Sequence, residues 1–480
     1  MTTTHTNFID NEWTAAYDGN TIDVIDPSTG EAFARIARSG GSEVGRAVQA
    51  ARNAFNGEWG AMAPAARSRL LWRIAQALLE HAEELAGLEQ RDTGKPTRQA
   101  RADAQALARY FEFYAGAADK LHGETIPFPR EFTVLTLREP HGVIGHIVPW
   151  NYPMQIFGRS VAASLAVGNA CVVKPAEDAC LSLLRVAQIM ADCGLPAGAL
   201  NIVTGLGAEA GAALAAHPGI DHLSFTGSPQ TGQAVQIAAA ANFVPVTLEL
   251  GGKSPQIVFS DADIDAALPV LLNAIVQNAG QTCSAGSRVL VQRAVYSDVL
   301  SRLSALFQAT RTGAATDDPD VGPLINARQL ARVQGYLSQA DAGGISVVAK
   351  GQLDASAPSG GFYQVPVLLG DVPHDHQLAQ EEIFGPVLCA IPFDTEDEAV
   401  EIANSTAYGL VAGVWTQDGG RQFRMARRLR AGQVFINNYG AGGGVELPFG
   451  GSGQSGFGRE KGFEALYGFT RLKTVALRHG

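Results

Sequence analysis

Apolar positions along the chain follow first a helical and then a strand-like rhythm. From about residue 42 the spacing is helical. Leu70, Leu71, Ile74, Leu78, Leu79, Ala82 and Leu85 recur at intervals that predict one long helix over 64–92, closed by Gly94. A second helix is expected to about residue 119. Before them lies an extended opening marked by the turn Asp26-Pro27-Ser28-Thr29-Gly30. Residues 121–140 change to strand character, with Phe132 and Val134 on one face and Leu135 and Leu137 on the other. A strand that is apolar on both faces needs cover, so this one is expected to be an arm that pairs with another subunit.

Five short apolar runs follow, over 143–148, 170–174, 200–204, 221–225 and 244–250. Helical stretches near 154–166, 181–193, 208–216 and 228–241 separate them. This alternation predicts βαβ units and a parallel sheet covered on both faces, whose ligands bind at the carboxyl ends of the strands. A second α/β set is expected from strand-like runs at 256–259, 289–291, 386–392, 411–415 and 434–437. Its helices are expected near 261–278, 296–310, 395–404 and 419–430.

Bulk properties narrow the field. With 480 residues, the chain holds two or three domains. Lys+Arg 36 against Asp+Glu 47, a net charge of −11, disfavours nucleic acid and anionic membranes as partners. The cysteines (171, 180, 193, 283 and 389) are scattered and odd in number. Without CxxC or HExxH, neither a disulfide framework nor a metal site is expected. The first ten residues lack a signal-peptide pattern. The longest uncharged runs are broken by Pro149 and Pro153, or by Asn273, Gln277 and Asn278. A soluble, cytoplasmic protein without a membrane span is expected.

Candidate chemistry lies after the strands and around one cysteine. Cys283 stands in Gly280-Gln281-Thr282-Cys283-Ser284-Ala285-Gly286-Ser287-Arg288, between a helical run and a strand-like one. Such a turn can present a nucleophilic sulfur, although most free cysteines are small core residues. In Pro149-Trp150-Asn151-Tyr152-Pro153 two prolines stiffen the turn, and the Asn151 amide is a neutral donor suited to an oxyanion. Lys174-Pro175-Ala176-Glu177 pairs an ammonium with a carboxylate suited to ribose hydroxyls. Phe225-Thr226-Gly227-Ser228 opens a helix whose first amides suit a phosphate. Gly252-Lys253-Ser254 imitates the tail of a nucleotide-triphosphate loop, but Thr247 stands where that loop needs glycine.

VPWNYP, KPAE, FTGS, LELGGKSP and GQTCSAGSR, in this order, resemble the aldehyde dehydrogenase superfamily. Glu381-Glu382-Ile383-Phe384-Gly385-Pro386-Val387, Asn404-Ser405-Thr406-Ala407-Tyr408-Gly409-Leu410 and Pro448-Phe449-Gly450-Gly451-Ser452 extend the match over essentially the whole chain. The resemblance implies an α/β fold with a Rossmann-like cofactor domain over 1–120 and 140–250 and a catalytic domain over 251–450. An oligomerisation arm over 121–139 would join a C-terminal segment, 451–480, in a homodimer or homotetramer. It implies a hydrolytic, non-acylating oxidation of an aldehyde with NAD, NADP being the alternative. Cys283 would be the nucleophile, Glu249 the general base and Asn151 an oxyanion donor. Trp150, Lys174, Glu177, Gly227, Ser228, Gly251, Glu382 and Phe384 would hold the cofactor, with Glu177 favouring NAD because a carboxylate repels a 2′-phosphate.

For the aldehyde pocket the candidates are Tyr152, Phe157, Arg159, Thr282 and Ser284. Arg159 lies two helical turns after Asn151, where succinic semialdehyde dehydrogenases carry an arginine that can hold a carboxylate. Their second arginine, six residues before the cysteine, is Gln277 here. The glycine-rich run from 440 to 446 leaves room for a bulky side group. An aromatic or medium-chain aldehyde is therefore placed ahead of a semialdehyde.

Overall fold

The computed structural model describes residues 3–440 and 444–479. Parallel strands Val143–Val148, Ala170–Pro175, Leu200–Ile202, His222–Thr226 and Val246–Glu249 form the centre of an eight-stranded sheet. Ala170–Pro175 and His222–Thr226 are buried along their whole length, as strands covered on both faces must be. Val143–Val148 lies between Ala170–Pro175 and His222–Thr226, so the winding reverses at its edge with His222–Thr226. That reversal opens a crevice beyond the carboxyl ends of these two strands.

The extended opening of the chain supplies one edge of this sheet through the hairpin Asn7–Ile9 and Glu12–Thr14. Gly456–Phe457 supplies the other, running antiparallel to Val246–Glu249. The segment expected to belong wholly to the arm is therefore divided. Thr470–Arg478 alone pairs with Phe132–Pro140, in register along nine residues of each strand. Val134 and Thr136 turn inward on this ribbon, while Leu137, Leu472 and Leu477 are exposed. The long helix expected over 64–92 is two helices, Pro64–Glu80 and Ala82–Thr93, joined at His81. Leu78 and Leu85 still reach the same core, which is why one apolar stripe runs through both. Gly94, at φ 74°, closes the second helix.

The second sheet has seven strands in the order Ser346–Lys350, Val367–Gly370, Val387–Phe393, Arg288–Gln292, Pro255–Val258, Val411–Trp415 and Gln433–Ile436. All neighbours are parallel except Ser346–Lys350. Ser346–Lys350, Val367–Gly370 and the helix Ala327–Ala342 were not foreseen. The helix buries only Val333, Tyr336 and Ala340, too sparse a stripe to read. No helix of the described residues is long and apolar enough to cross a membrane.

The loops that enter this second sheet, before Pro255–Val258 and before Arg288–Gln292, face the crevice of the first. Arg288, itself fully buried, holds one of them. Its Nε donates to the Lys253 carbonyl, and its Nη1 and Nη2 to the carbonyls of Ile402 and Ala403, each at 2.9 Å. Burial pulls the guanidinium down to about 10, which still leaves it charged at neutral pH. Arg288→Met should orphan three carbonyls and lower stability by about 2–5 kcal/mol in urea unfolding. An unchanged midpoint would show that the clamp contributes nothing.

Candidate active site

Between the two sheets lies a cavity of about 690 Å³ whose walls include Trp150, Lys174, Ser228, Glu249, Cys283 and Phe384. Cys283 reaches the cavity from the turn that precedes it. Asn278, Ala279 and Gly280 have φ of 48°, 54° and 72°, three successive left-handed residues of which only the last is glycine. Such conformations cost about 1–2 kcal/mol per non-glycine residue, so the surroundings must impose them. The Asn278 N–H donates to Gln99 Oε1 at 2.9 Å, and its Nδ2 to the Asn151 carbonyl at 2.9 Å. Gln281 Nε2 donates to the Asn278 carbonyl at 3.0 Å, and Gln281 Oε1 accepts from the Ile325 N–H at 2.9 Å. Asn151 Nδ2 returns a bond to the Gln281 carbonyl at 3.0 Å. Asn151 and the cysteine turn are thus tied together across the crevice.

Cys283 is half-buried, and its backbone N–H donates to no described group. Its carbonyl lies where a Cβ on Gly252 would approach to 2.4 Å, so glycine is required there. Burial pushes the thiol up to about 11, opposed by the charge of Arg159 and assisted by Glu382 and Glu249. Glu249 ends its strand with 1% exposure, and neither carboxylate oxygen has a hydrogen-bond partner. Burial raises its pKa well above the usual carboxylate range, against the pull of Arg159. Cys171 offers no alternative nucleophile. It is sealed in its strand, and burial pushes its thiol up to about 12.

Farther along the cavity, Lys174 Nζ donates to Glu177 Oε2 at 2.8 Å. Burial raises the pKa of Glu177, but Lys174 outweighs it and leaves the carboxylate below its usual range. The Gly227 N–H donates to the Glu249 carbonyl at 3.1 Å. Ser228 Oγ caps the helix Pro229–Ala240, accepting from the Thr231 N–H at 3.2 Å. Trp150 and Phe384 meet edge to face at 5.4 Å. Phe384 has φ 62°, with its carbonyl held by Gln329 Nε2 at 2.7 Å. Glu382 Oε1 accepts from the Gly252 N–H at 3.0 Å, and a Cβ on Gly251 would lie 2.4 Å from Glu382 Oε2. Burial raises Glu382 to about 7.

The pocket candidates separate. Tyr152 Oη and Thr282 Oγ1 share a hydrogen bond of 3.0 Å, and the Ser284 carbonyl accepts from Tyr439 Oη at 2.7 Å. Phe157 is enclosed in the core, stacked on Phe111 at 6.4 Å. Arg159 is not a free cation. Its guanidinium pairs with Glu460, donates to Thr226 Oγ1 at 3.1 Å and lies 5.0 Å from the centre of the Phe449 ring. Of the glycine-rich run, residues 441–443 fall outside the described residues.

Sequence reasoning missed two groups. Glu460 and Lys461 come from the tail, where Gly458-Arg459-Glu460-Lys461-Gly462 reads as a solvated turn but is folded inward. Glu89, Lys95 and Asp103 form a buried triad, with Lys95 Nζ 2.8 Å from Glu89 Oε1 and 4.2 Å from the centre of the Tyr152 ring. Glu89 Oε2 also accepts from the Met154 N–H at 3.2 Å, fixing the turn that carries Asn151. Charges on amphipathic helices, such as Glu89 and Asp103, and in the loops between them, such as Lys95, ordinarily face water, so no local signal marked these three.

Comparison with known proteins places the site in context. The model of the Aldehyde dehydrogenase family matches residues 13–475. Aldehyde dehydrogenase 1 of Tanacetum cinerariifolium is 41% identical over 474 residues, covering 98% of this chain and 94% of its own. A crystal structure of a Burkholderia cenocepacia protein assigned as an aldehyde dehydrogenase superposes with a TM-score of 0.99 at 69% identity, covering 99% of this chain and 100% of that one. The NAD+ complex of the Bacillus cereus aldehyde dehydrogenase superposes with a TM-score of 0.96 at 40% identity, covering 99% and 96%.

The left-handed turn is open to direct test. A Cβ on Gly280 would lie 2.3 Å from the Gly385 backbone, at a φ that L-residues avoid. Gly280→Ala should lower stability by about 1–3 kcal/mol and change the rate at which iodoacetamide alkylates Cys283. Wild-type values for both would mean that the turn is not constrained as described.

Proposed function

The chain belongs to the aldehyde dehydrogenase family, and on that premise we propose that it oxidises an aldehyde to its carboxylic acid with NAD, through Cys283 and Glu249. The observation that carries this is the meeting of three groups at one cavity: a half-buried thiol, a buried carboxylate without a partner, and an amide donor fixed beside them.

Cys283 starts as a thiol, so its proton must leave before the sulfur can attack, and Glu249 is the nearby base. The thiolate adds to the aldehyde carbon to form a thiohemiacetal. Its oxyanion is met by the Cys283 N–H and by the second hydrogen of Asn151 Nδ2, whose first is spent on the Gln281 carbonyl. NAD, when bound, supplies the acceptor for the two electrons and hydrogen that leave the aldehyde carbon. The acyl group then remains on Cys283 as a thioester. Once Glu249 has released that first proton to solvent, it takes a proton from water, and the water oxygen bonds to the acyl carbon. The carbon–sulfur bond breaks, and the acid departs as the sulfur recovers its proton from Glu249. The presence of this base separates the chain from relatives that hand the acyl group to CoA.

The cavity fits a dinucleotide in size and in its polar groups. Lys174 and Glu177 suit the adenosine ribose, Gly227 and Ser228 the pyrophosphate, and Trp150, Gly251, Glu382 and Phe384 the nicotinamide end. An ionised Glu177 supports NAD over NADP. Phe449, Phe435 and Tyr439 gather with Cys283 in one apolar cluster, which supports an aromatic or medium-chain aldehyde. The semialdehyde alternative through Arg159 loses support, because Glu460 already neutralises that guanidinium. Exposed leucines on the arm support a homodimer or homotetramer.

Cofactor reduction without CoA, with NAD and NADP, against benzaldehyde, hexanal and succinic semialdehyde, tests the proposal. NAD should be preferred, Cys283→Ala should be inactive, and Asn151→Ala should lose on the order of 10²–10³ in rate. Turnover that required CoA, or that survived loss of Cys283, would overturn the mechanism. The pH profile has a defined sign. Glu249 and Cys283 both act deprotonated and both pKa values are raised, so kcat/KM should climb on the alkaline side of neutrality. Glu249→Gln should remove the carboxylate limb and slow acid release more than the initial burst of reduced cofactor. An acid-side optimum would contradict this assignment.

A further inference from the structure

Near Cys283 is a buried positive charge that forms no ion pair among the described residues. Lys461 is only 8% exposed and sits at φ 60°, a left-handed position unusual for lysine. Its ammonium has no hydrogen bond and no salt bridge to any described residue. Its identified neighbours are rings, with Nζ 5.4 Å from the centre of Phe449 and 5.9 Å from that of Tyr110. The adjacent carboxylates are otherwise disposed. Glu460 pairs with Arg159 and accepts from Ser224 Oγ at 2.7 Å, and both oxygens of Glu249 are without partners. Two aromatic faces return less than the hydration a buried ammonium gives up. Burial, and then Arg159, push Lys461 down to about 8, while Cys283, Glu249 and Glu460 pull it back.

Tyr110 repeats the pattern. It is 1% exposed, and its hydroxyl has no partner. Lys461 Nζ thus lies close to the Tyr110 ring and to Phe449, whose ring packs in the same apolar cluster as Cys283. Lys461 is also next to the described end of the glycine-rich loop, since the Gly462 N–H donates to the Val445 carbonyl at 2.6 Å. A negatively charged group brought in by the substrate would satisfy both donors and offset the buried charge.

We propose that Lys461, assisted by the Tyr110 hydroxyl, holds a carboxylate carried by the substrate, so that the preferred aldehydes are acids bearing an aldehyde group at the far end. This rests on the aldehyde oxidation proposed above. It is compatible with an aromatic pocket, because a formylbenzoate is both aromatic and anionic. It transfers the anion-holding role from Arg159 to Lys461, eleven positions beyond Gly450, in the tail.

A matched pair tests it: benzaldehyde and 4-formylbenzoate, with wild type, Lys461→Met, Lys461→Arg and Tyr110→Phe. Lys461→Met should raise KM for 4-formylbenzoate by about tenfold or more while leaving both parameters for benzaldehyde near wild type. Lys461→Arg should restore part of the loss, and Tyr110→Phe, which keeps the ring, should give a smaller rise confined to the anionic aldehyde. Equal losses on both aldehydes would overturn the proposal and assign Lys461 to the reacting sulfur or to folding. Calorimetry with 4-(hydroxymethyl)benzoate and benzyl alcohol needs no turnover. Wild type should bind the anion more tightly and Lys461→Met should abolish the difference. No preference for the anion in wild type would overturn the proposal even if the protein oxidised no aldehyde, an outcome that would separately sink the oxidation itself.

Discussion

The hydrogen-bonded lock between Asn151 and the turn at Asn278–Gln281 is the constraint on which the site depends. One partner comes from the end of a strand in the first sheet, the other from the approach to a strand in the second. Three of the bonds that hold the cysteine turn in its left-handed conformation cross the crevice, so both sides contribute to it. The same lock sets where the Asn151 amide lies relative to the sulfur. Strain, donor placement and domain docking are one event, which accounts for three consecutive residues in a conformation that most chains avoid.

Charge is handled in the same collective way. The interior around Cys283 contains Arg159, Glu460, Lys461 and Glu249, yet among these only Arg159 and Glu460 form an ion pair. Pairing two of the four leaves one carboxylate, Glu249, and one ammonium, Lys461, outside any ion pair among the described residues. A fully neutralised cluster would be more stable and less useful, since buried groups with every partner in place do not respond to what enters the cavity.

Much of this was legible before the structure. The alternating strands and helices located the crevice, and the residues after each strand, from Trp150 and Asn151 to Gly227 and Ser228, do line it. Periodicity survives a one-residue break, so the interruption at His81 was invisible. The helix Ala327–Ala342 was missed because its buried stripe is thin. Arg159 was visible as a residue but not as half of an ion pair, because Glu460 lies some three hundred positions away and pairing across that distance leaves no local pattern. Lys461 was hidden for a related reason. A charged, glycine-flanked turn looks solvated unless the strand that draws it inward, Gly456–Phe457, is recognised first.

That short strand makes the last stretch of the chain a single thread through three parts of the molecule. It first closes the edge of the sheet that ends in Glu249, then passes Glu460 and Lys461 through the interior, and finally emerges as Thr470–Arg478 along the arm. The surface strand and the residues near Cys283 are joined only by the short helix Glu464–Gly468 and the turns on either side of it. Arm and interior are therefore built from one short piece of chain.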